Sequence, residues 1–116
     1  MKILIVDDYP ELPKAMSYAL KNAGHEVEMA FGGREGLLAF RTADPPFDAV
    51  VSDYNMPIMD GYKMIVHILK LDPKVKVVMM SGDDWNKPPM RTPPIKLLGK
   101  PFEMRELLQE LEKPST

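Results

Sequence analysis

The sequence predicts a three-layer α/β domain in which a parallel sheet is covered by helices on both sides. Short apolar runs alternate with segments whose apolar residues recur at helical spacing. Strands that are separated by helices pair in parallel through right-handed crossovers. Because 116 residues is the size of one domain, we expect residues 1–116 to form a single domain.

The first strand and the first helix have the clearest patterns. Residues 3–6 form an uninterrupted apolar run, which is typical of a strand buried on both faces. The helix that follows has Pro13 in its opening turn and Gly24 as its stop. Its apolar residues repeat at helical spacing: Leu12, Ala15, Met16, Ala19, Leu20 and Ala23.

The later elements continue the alternation. A second strand around Val27 and Met29, a weaker helix over residues 35–41 and a third strand over residues 47–52 come next. Asp60 is expected to cap a helix that runs through Leu69 and ends at Asp72-Pro73. The pattern then predicts strands over residues 75–80 and 95–98 and a last helix beginning at Pro101.

One helix of the usual alternation is missing. The segment 82-GDDWNKPPMRTPP-94 between the fourth and fifth strands contains four prolines. Proline removes a helical donor and disfavours helical geometry in the residue before it. We therefore expect the fourth of five helices to be short or replaced by a Pro-rich loop.

Composition excludes several functional classes. The chain has no cysteine, so disulfides, thiolate metal sites and cysteine nucleophiles are excluded. Its net charge is -2, and its basic residues are scattered, so neither nucleic acid nor a membrane surface is an expected partner. No apolar run is long enough to span a bilayer and no signal-peptide pattern is present, so we expect a cytoplasmic protein.

Chemically active side chains follow four of the predicted strands at their carboxyl ends. Because these ends share one edge of a parallel sheet, which is where ligands bind, we expect the side chains to lie close together. They are Asp7 and Asp8, Asp53, Ser81 and Lys100. Each residue alone is unremarkable as a turn, a cap or a solvated charge, and Asp60-Gly61 is interpreted only as a helix cap.

The charges at this edge predict a reaction. Two carboxylates roughly 4 Å apart repel each other by about 4 kcal/mol at an effective dielectric constant near 20. Mg²⁺, which prefers carboxylates, water and phosphate oxygens, would relieve that repulsion. Lys100 and the Ser81 hydroxyl suit the oxygens of a phosphoryl group. Transfer of a phosphoryl group onto Asp53 therefore fits the residues best.

At this point the sequence closely resembles the receiver domain of two-component response regulators. The resemblance covers nearly the whole chain and rests on 3-ILIVDD-8, 53-DYNMPIMDG-61, 79-MMSG-82 and 100-KPF-102. It implies a flavodoxin-like doubly wound (βα)5 sheet with strand order 2-1-3-4-5. It also implies a signalling domain rather than an enzyme, which accepts phosphate from a histidine kinase or a histidine phosphotransfer protein.

The resemblance implies a role for each matching residue. Asp53 is the phosphate acceptor, and Mg²⁺ or Mn²⁺ is the cofactor. The implied metal ligands are Asp8, Asp53, the backbone carbonyl of Asn55 and, through water, Asp7. Ser81 occupies the switch position, and the lysine position belongs to Lys100, whose bond to Pro101 is typically cis.

Two departures from the family pattern bear on signalling. Leu97 stands where the family usually carries a Tyr or Phe that moves during activation. The Pro-rich segment replaces part of the usual output face, so we expect either another signalling surface or a switch in the 82–94 loop, which Trp85 could report. Asn55 and Asp83 occupy positions that tune dephosphorylation, and a short phosphorylated lifetime is expected.

Three alternatives stay open. A haloacid dehalogenase-type hydrolase would need an Asp where Asn55 stands and also a cap domain. A nucleotide-binding module is disfavoured because 32-GGREG-36 lacks phosphate-loop spacing. The runner-up is an interaction scaffold that keeps the receiver fold but needs no phosphate. Because 114-PST-116 lies just past the last helix, we expect no output domain within residues 1–116, whether the chain is a stand-alone receiver or part of a hybrid kinase or longer regulator. We also expect a monomer or weak dimer and an unknown downstream protein target.

Overall fold

A computed structural model describes residues 1–54, 56, 59–82 and 95–113. Within these ranges the chain forms five strands and four helices. In chain order they are β1 (Lys2–Val6), α1 (Glu11–Asn22), β2 (Glu26–Ala30), α2 (Gly33–Thr42), β3 (Ala49–Asp53), α3 (Gly61–Leu71), β4 (Lys76–Ser81), β5 (Ile95–Gly99) and α4 (Met104–Glu112).

The sheet has the predicted topology. All of its paired strands are parallel, and their order is β2-β1-β3-β4-β5. The register places Ser52 beside Val6, Asp53 beside Met80 and Ser81 beside Gly99. The carboxyl ends of the inner strands therefore lie next to one another, as the order 2-1-3-4-5 requires.

Two apolar cores, one on each face of the sheet, produce the three layers. Alternate strand residues such as Leu4 and Val50 pack with α2 and α3 on one face. Their neighbours, such as Ile5 and Val51, pack with α1 and α4 on the other. Because side chains alternate across a strand, only strands that are apolar at successive positions can serve both cores. The uninterrupted apolar runs are thereby explained.

The helix boundaries differ from prediction mainly at the last helix. Asp60 caps α3 as predicted, since its carboxylate accepts a hydrogen bond of 2.8 Å from the Lys63 amide. The last helix was expected to begin at Pro101 but begins at Met104. Glu103 is extended, and its carbonyl accepts hydrogen bonds from the Glu106 and Leu107 amides. The first helical turn therefore begins after Glu103, three residues beyond the predicted start at Pro101.

The glycine-rich segment after β2 is used for close packing. An added Cβ at Gly33 would collide with the backbone of Met59, and one at Gly36 would lie 2.8 Å from the sulfur of Met64. These two glycines therefore let α2 approach the loop before α3 and α3 itself. This role agrees with the rejection of the segment as a phosphate-binding loop.

The predictions for the segment between β4 and β5 lie largely outside the described residues. These are the Pro-rich loop in place of the fourth helix, Trp85 as its reporter, and Asp83. The helix labelled α4 here is the last helix of the chain. Leu97 lies within β5, where it is half-buried and packs on the α2 and α3 side.

Candidate functional site

The carboxyl edge of the sheet brings the predicted residues together. Asp7 and Asp8 directly follow β1, and Asp53 is the last residue of β3. Ser81 is the last residue of β4, and Lys100 directly follows β5. All five predicted side chains therefore leave the backbone at the same edge, while Asn55 and Asp83 lie outside the described residues.

Three carboxylates form one cluster at this edge. Asp7, Asp8 and Asp53 each offer an oxygen, and these atoms all lie within 4.8 Å of one another. Asp7 and Asp53 are buried, whereas Asp8 is exposed. Charges placed this close repel each other strongly in a partly buried setting, so the cluster favours a cation.

Lys100 neutralises only part of that charge. Its ammonium nitrogen lies 3.1 Å from Oδ1 of Asp53 and donates a hydrogen bond to it. The same nitrogen lies 3.8 Å from Oδ2 of Asp7, which is within Coulombic range but too far for a hydrogen bond. Among the described residues, this ammonium thus contacts two of the three carboxylates, and the cluster keeps a net negative charge.

Asp7 has one satisfied oxygen and one that is not. Its Oδ1 accepts a hydrogen bond of 2.9 Å from the Tyr9 amide. Its Oδ2 is buried and has no hydrogen-bond partner among the described residues. Burial raises the pKa of Asp7, and the nearby Asp53 carboxylate raises it further, while the Tyr9 amide and Lys100 oppose them. A buried carboxylate oxygen without a donor fits a hard divalent cation.

Asp53 is held by contacts that the sequence did not reveal. The Ser52 hydroxyl donates to the Asp53 carbonyl oxygen at 2.9 Å, and an added Cβ at Gly61 would collide with that oxygen. The Gly61 amide in turn donates to the Tyr54 carbonyl at 2.9 Å. Gly61 was interpreted only as part of a helix cap, and Ser52 only as a strand residue. The available signal was a glycine directly after the cap residue.

The remaining predicted positions lie at the neighbouring strand ends. Ser81 is buried, and its carbonyl accepts from the Lys100 amide at 2.9 Å. The Lys100-Pro101 peptide bond is cis, the configuration that the resemblance implies. A second cis bond, Asp44-Pro45, was not predicted.

The fold and the cluster define a class of protein. A doubly wound parallel sheet binds its ligands at the carboxyl ends of the strands, and here those ends carry three carboxylates, a hydroxyl and an ammonium. This donor set suits a divalent cation together with a phosphoryl group. The class is therefore that of small doubly wound α/β domains with an acidic site.

Comparison with known proteins gives the family. The model of the response regulator receiver domain matches residues 3–112, and the chain belongs to this family. It is 37% identical over 111 residues to the two-component response regulator ARR11 of Arabidopsis thaliana, an alignment that covers 92% of this chain and 21% of that protein. It spans between 14% and 28% of the length of the first three curated relatives.

Solved structures agree with the family. Chemotaxis protein CheY4 of Vibrio cholerae superposes with a TM-score of 0.84 at 30% identity, over 96% of this chain and 95% of that one. A chain of the CheX-CheY-BeF3-Mg²⁺ complex from Borrelia burgdorferi has a TM-score of 0.84 at 25% identity, over 96% of this chain and 86% of that one. No helix in the described ranges is both long and apolar enough to cross a membrane.

Proposed function

We propose that residues 1–116 act as a single phosphoacceptor receiver domain of a two-component or phosphorelay system. A phosphohistidine of a histidine kinase or a phosphotransfer protein is the donor, and the carboxylate of Asp53 is the acceptor. The observation that carries the proposal is the Asp53 carboxylate at the end of β3, which is paired with the Lys100 ammonium and clustered with two further carboxylates. A membrane-free, cytoplasmic location and a monomer or weak dimer fit this role.

The acidic cluster is proposed to hold Mg²⁺ or Mn²⁺. Asp8 and Asp53 are the direct ligands, Asp7 acts through water, and the Asn55 backbone carbonyl completes the set. When bound, the cation neutralises the cluster and the oxygens of an incoming phosphoryl group. The orphaned Oδ2 of Asp7 and the excess of carboxylates support this assignment.

The chain's own residues position and neutralise the reacting groups. An Asp53 oxygen forms a bond to phosphorus while the bond between phosphorus and the histidine nitrogen breaks, and that nitrogen keeps the electron pair. Lys100 pairs with Asp53 beforehand and can move to a phosphoryl oxygen as the carboxylate loses its charge. The Ser81 hydroxyl donates to another phosphoryl oxygen and thereby links modification to β4.

Hydrolysis of the phosphorylated state is proposed to involve Asn55 and Asp83. A polar and an acidic side chain at these positions would orient a water molecule for attack on phosphorus, and the lifetime would be short. Replacing Asp83 with Ala should slow the decay of phosphorylated protein. An unchanged decay would remove Asp83 from this role.

A phosphate-independent scaffold is the second candidate, and Leu97 is the observation that favours it. Leu97 is a half-buried aliphatic side chain where the family usually carries the aromatic switch residue. If the protein is instead a phosphorylated receiver, its signal would pass to the unknown downstream target through another surface or through a switch in the 82–94 segment. A change in hydrogen exchange across 82–94 and in Trp85 fluorescence on phosphorylation would support that switch and would contradict the scaffold.

Intact mass separates the two candidates. The protein is incubated with acetyl phosphate with and without Mg²⁺, beside Asp53→Asn and a control variant, Asp44→Asn, which changes an exposed aspartate outside the site. The receiver function predicts one Mg²⁺-dependent phosphoryl adduct in wild type and Asp44→Asn and none in Asp53→Asn. Absence of the adduct from wild type with every donor and metal would favour the scaffold.

A further inference from the structure

The peptide group between Asp53 and Tyr54 is held from both sides. Its carbonyl oxygen, from Asp53, accepts a hydrogen bond of 2.9 Å from the Ser52 hydroxyl. Its N–H, from Tyr54, donates to the Met80 carbonyl on the neighbouring strand, also at 2.9 Å. Because a peptide group is planar, fixing both its carbonyl and its N–H fixes the orientation of the whole plane.

Ser52 lies in an environment that would otherwise suit an apolar residue. It is fully buried, and its partners in the sheet register are Val6 and Met79. A buried hydroxyl costs free energy unless it is hydrogen-bonded, so packing alone would favour Ala or Val at this position. The hydroxyl donates its hydrogen bond to the backbone carbonyl of Asp53.

Gly61 encloses the same carbonyl from another side. An added Cβ at Gly61 would collide with the Asp53 carbonyl oxygen and would lie 3.1 Å from the Ser52 hydroxyl oxygen. The first turn of α3 therefore packs directly on the Ser52–Asp53 hydrogen bond. This packing limits how far the Asp53 backbone can shift.

We propose that Ser52 is a positioning residue for Asp53, because its hydroxyl fixes the peptide plane from which the Asp53 side chain is directed towards Lys100. The inference rests on the proposed function, since positioning matters only if Asp53 reacts. The backbone orientation sets where the Asp53 Cβ points and thus the 3.1 Å contact between its Oδ1 and the Lys100 nitrogen. Small misplacements of reacting atoms lower rates steeply.

Three variants test this role. Ser52→Ala removes the hydroxyl, and Ser52→Thr keeps it. Ser17→Ala is the matched control, because Ser17 is also a buried serine but lies in α1, away from the site. For each variant we would measure unfolding by urea, the rate of adduct formation with acetyl phosphate and Mg²⁺, and hydrogen exchange of the Tyr54 amide without either reagent.

Ser52→Ala should form the adduct about tenfold more slowly and exchange its Tyr54 amide faster than wild type. Ser52→Thr should restore both properties, and Ser17→Ala should leave both unchanged. If Ser52→Ala does not fold, Ser52→Cys, which offers only a weak donor, should show the same two defects.

The two proposals can fail separately. A Ser52→Ala variant with the adduct rate of wild type would overturn the positioning role while leaving Asp53 as the acceptor. A wild-type protein that forms no adduct would overturn the proposed function, and the Tyr54 amide would then decide whether Ser52 orders the peptide group. An unchanged exchange rate in Ser52→Ala would reject that as well.

Discussion

The carboxyl and amino edges of the sheet differ in how their buried charged side chains are hydrogen-bonded. At the carboxyl edge, Asp7 is buried, and its Oδ2 has no hydrogen-bond partner within the described part of the chain. At the amino edge, Lys76 is nearly as buried, yet its ammonium donates to three carbonyls at the end of α4. These belong to Glu110 (3.2 Å), Leu111 (2.8 Å) and Lys113.

The amino edge is satisfied by the fold itself. The last carbonyls of a helix have no partners within the helix, and a cation at this end also interacts well with the helix dipole. Lys2, at the same edge, is also bonded within the fold, since its amide donates to the Asp48 carboxylate and its ammonium donates to the Pro45 carbonyl. These charges hold elements together, although burial also lowers the pKa of Lys76.

The carboxyl edge keeps an unmatched negative charge among the described residues. Within the described part of the chain, Lys100 contacts two of the three carboxylates, and burial raises the pKa of Asp7 although the Tyr9 amide and Lys100 oppose the rise. Polar groups left unmatched in a native protein mark sites of function. Sequence position alone does not separate these edges, because both carry Lys and Asp residues at strand ends.

Removing Lys100, the cation that contacts the acidic cluster, should give the largest effect. Lys100→Met removes the ammonium that pairs with Asp53, so we expect adduct formation with acetyl phosphate to slow by on the order of 100-fold. Lys96→Met, which changes an exposed lysine of β5 just before Lys100, is the control and should react like wild type. Equal rates for the two variants would contradict a role of the Lys100 ammonium in adduct formation.

Crowding the Asp53 backbone should have the next largest effect. Gly61→Ala places a methyl group against the Asp53 carbonyl, so we expect about tenfold slower adduct formation and a loss of about 1–3 kcal/mol in the free energy of unfolding. The control is Gly32→Ala, where an added Cβ meets nothing within 4 Å. A Gly61→Ala variant with wild-type reactivity would show that the contact does not position Asp53.

Breaking the amino edge should change stability alone. Lys76→Met keeps the length of the side chain but leaves the three α4 carbonyls without its ammonium, so we expect a loss of about 1–3 kcal/mol in the free energy of unfolding. The rate of adduct formation in the folded protein should stay at the wild-type value. The exposed Lys70→Met is the control for stability. Slower phosphorylation in Lys76→Met would contradict the prediction that the amino edge contributes to stability alone.

In the absence of divalent cations, neutralising Asp7 should stabilise the protein. This is the smallest of the four expected effects. Because burial raises its pKa above 3.8, the folded state binds the proton more tightly than the unfolded state. The contribution of Asp7 to stability therefore falls as pH rises from 3.8 through the raised pKa. Asp7→Asn cannot ionise, so its advantage should appear over that interval and persist at neutral pH. Urea unfolding across pH measures this difference, and no gain at neutral pH would contradict it.

Much of the fold and the location of the site could be predicted because their signals are local. The apolar runs before Asp7 and Asp53 predict buried parallel strands, and topology then brings strand ends together. The strand order and the shared edge were both confirmed. The chemical roles of Asp53, Asp8, Ser81 and Lys100 stay predictions.

The contacts that tune the site could not be predicted because they join residues with ordinary local patterns. Ser52 is one polar residue in a strand, and its use depends on the direction of a backbone carbonyl. Gly61 matters because the chain turns after Asp53 and brings Gly61, eight residues later, against the Asp53 carbonyl. Lys76 reads as a surface residue, since its acceptors follow 34 to 37 residues later.

The most direct test of the difference between the edges is the Mg²⁺ dependence of stability. A ligand that binds only the folded state raises the free energy of unfolding as its concentration exceeds the dissociation constant. Urea unfolding of wild type and Lys76→Met should therefore show the same gain with added Mg²⁺, and Asp8→Asn and Asp53→Asn should lose most of it. A wild-type protein whose stability is unchanged by Mg²⁺ and Mn²⁺ would contradict the claim that the unmatched carboxylates form a cation site.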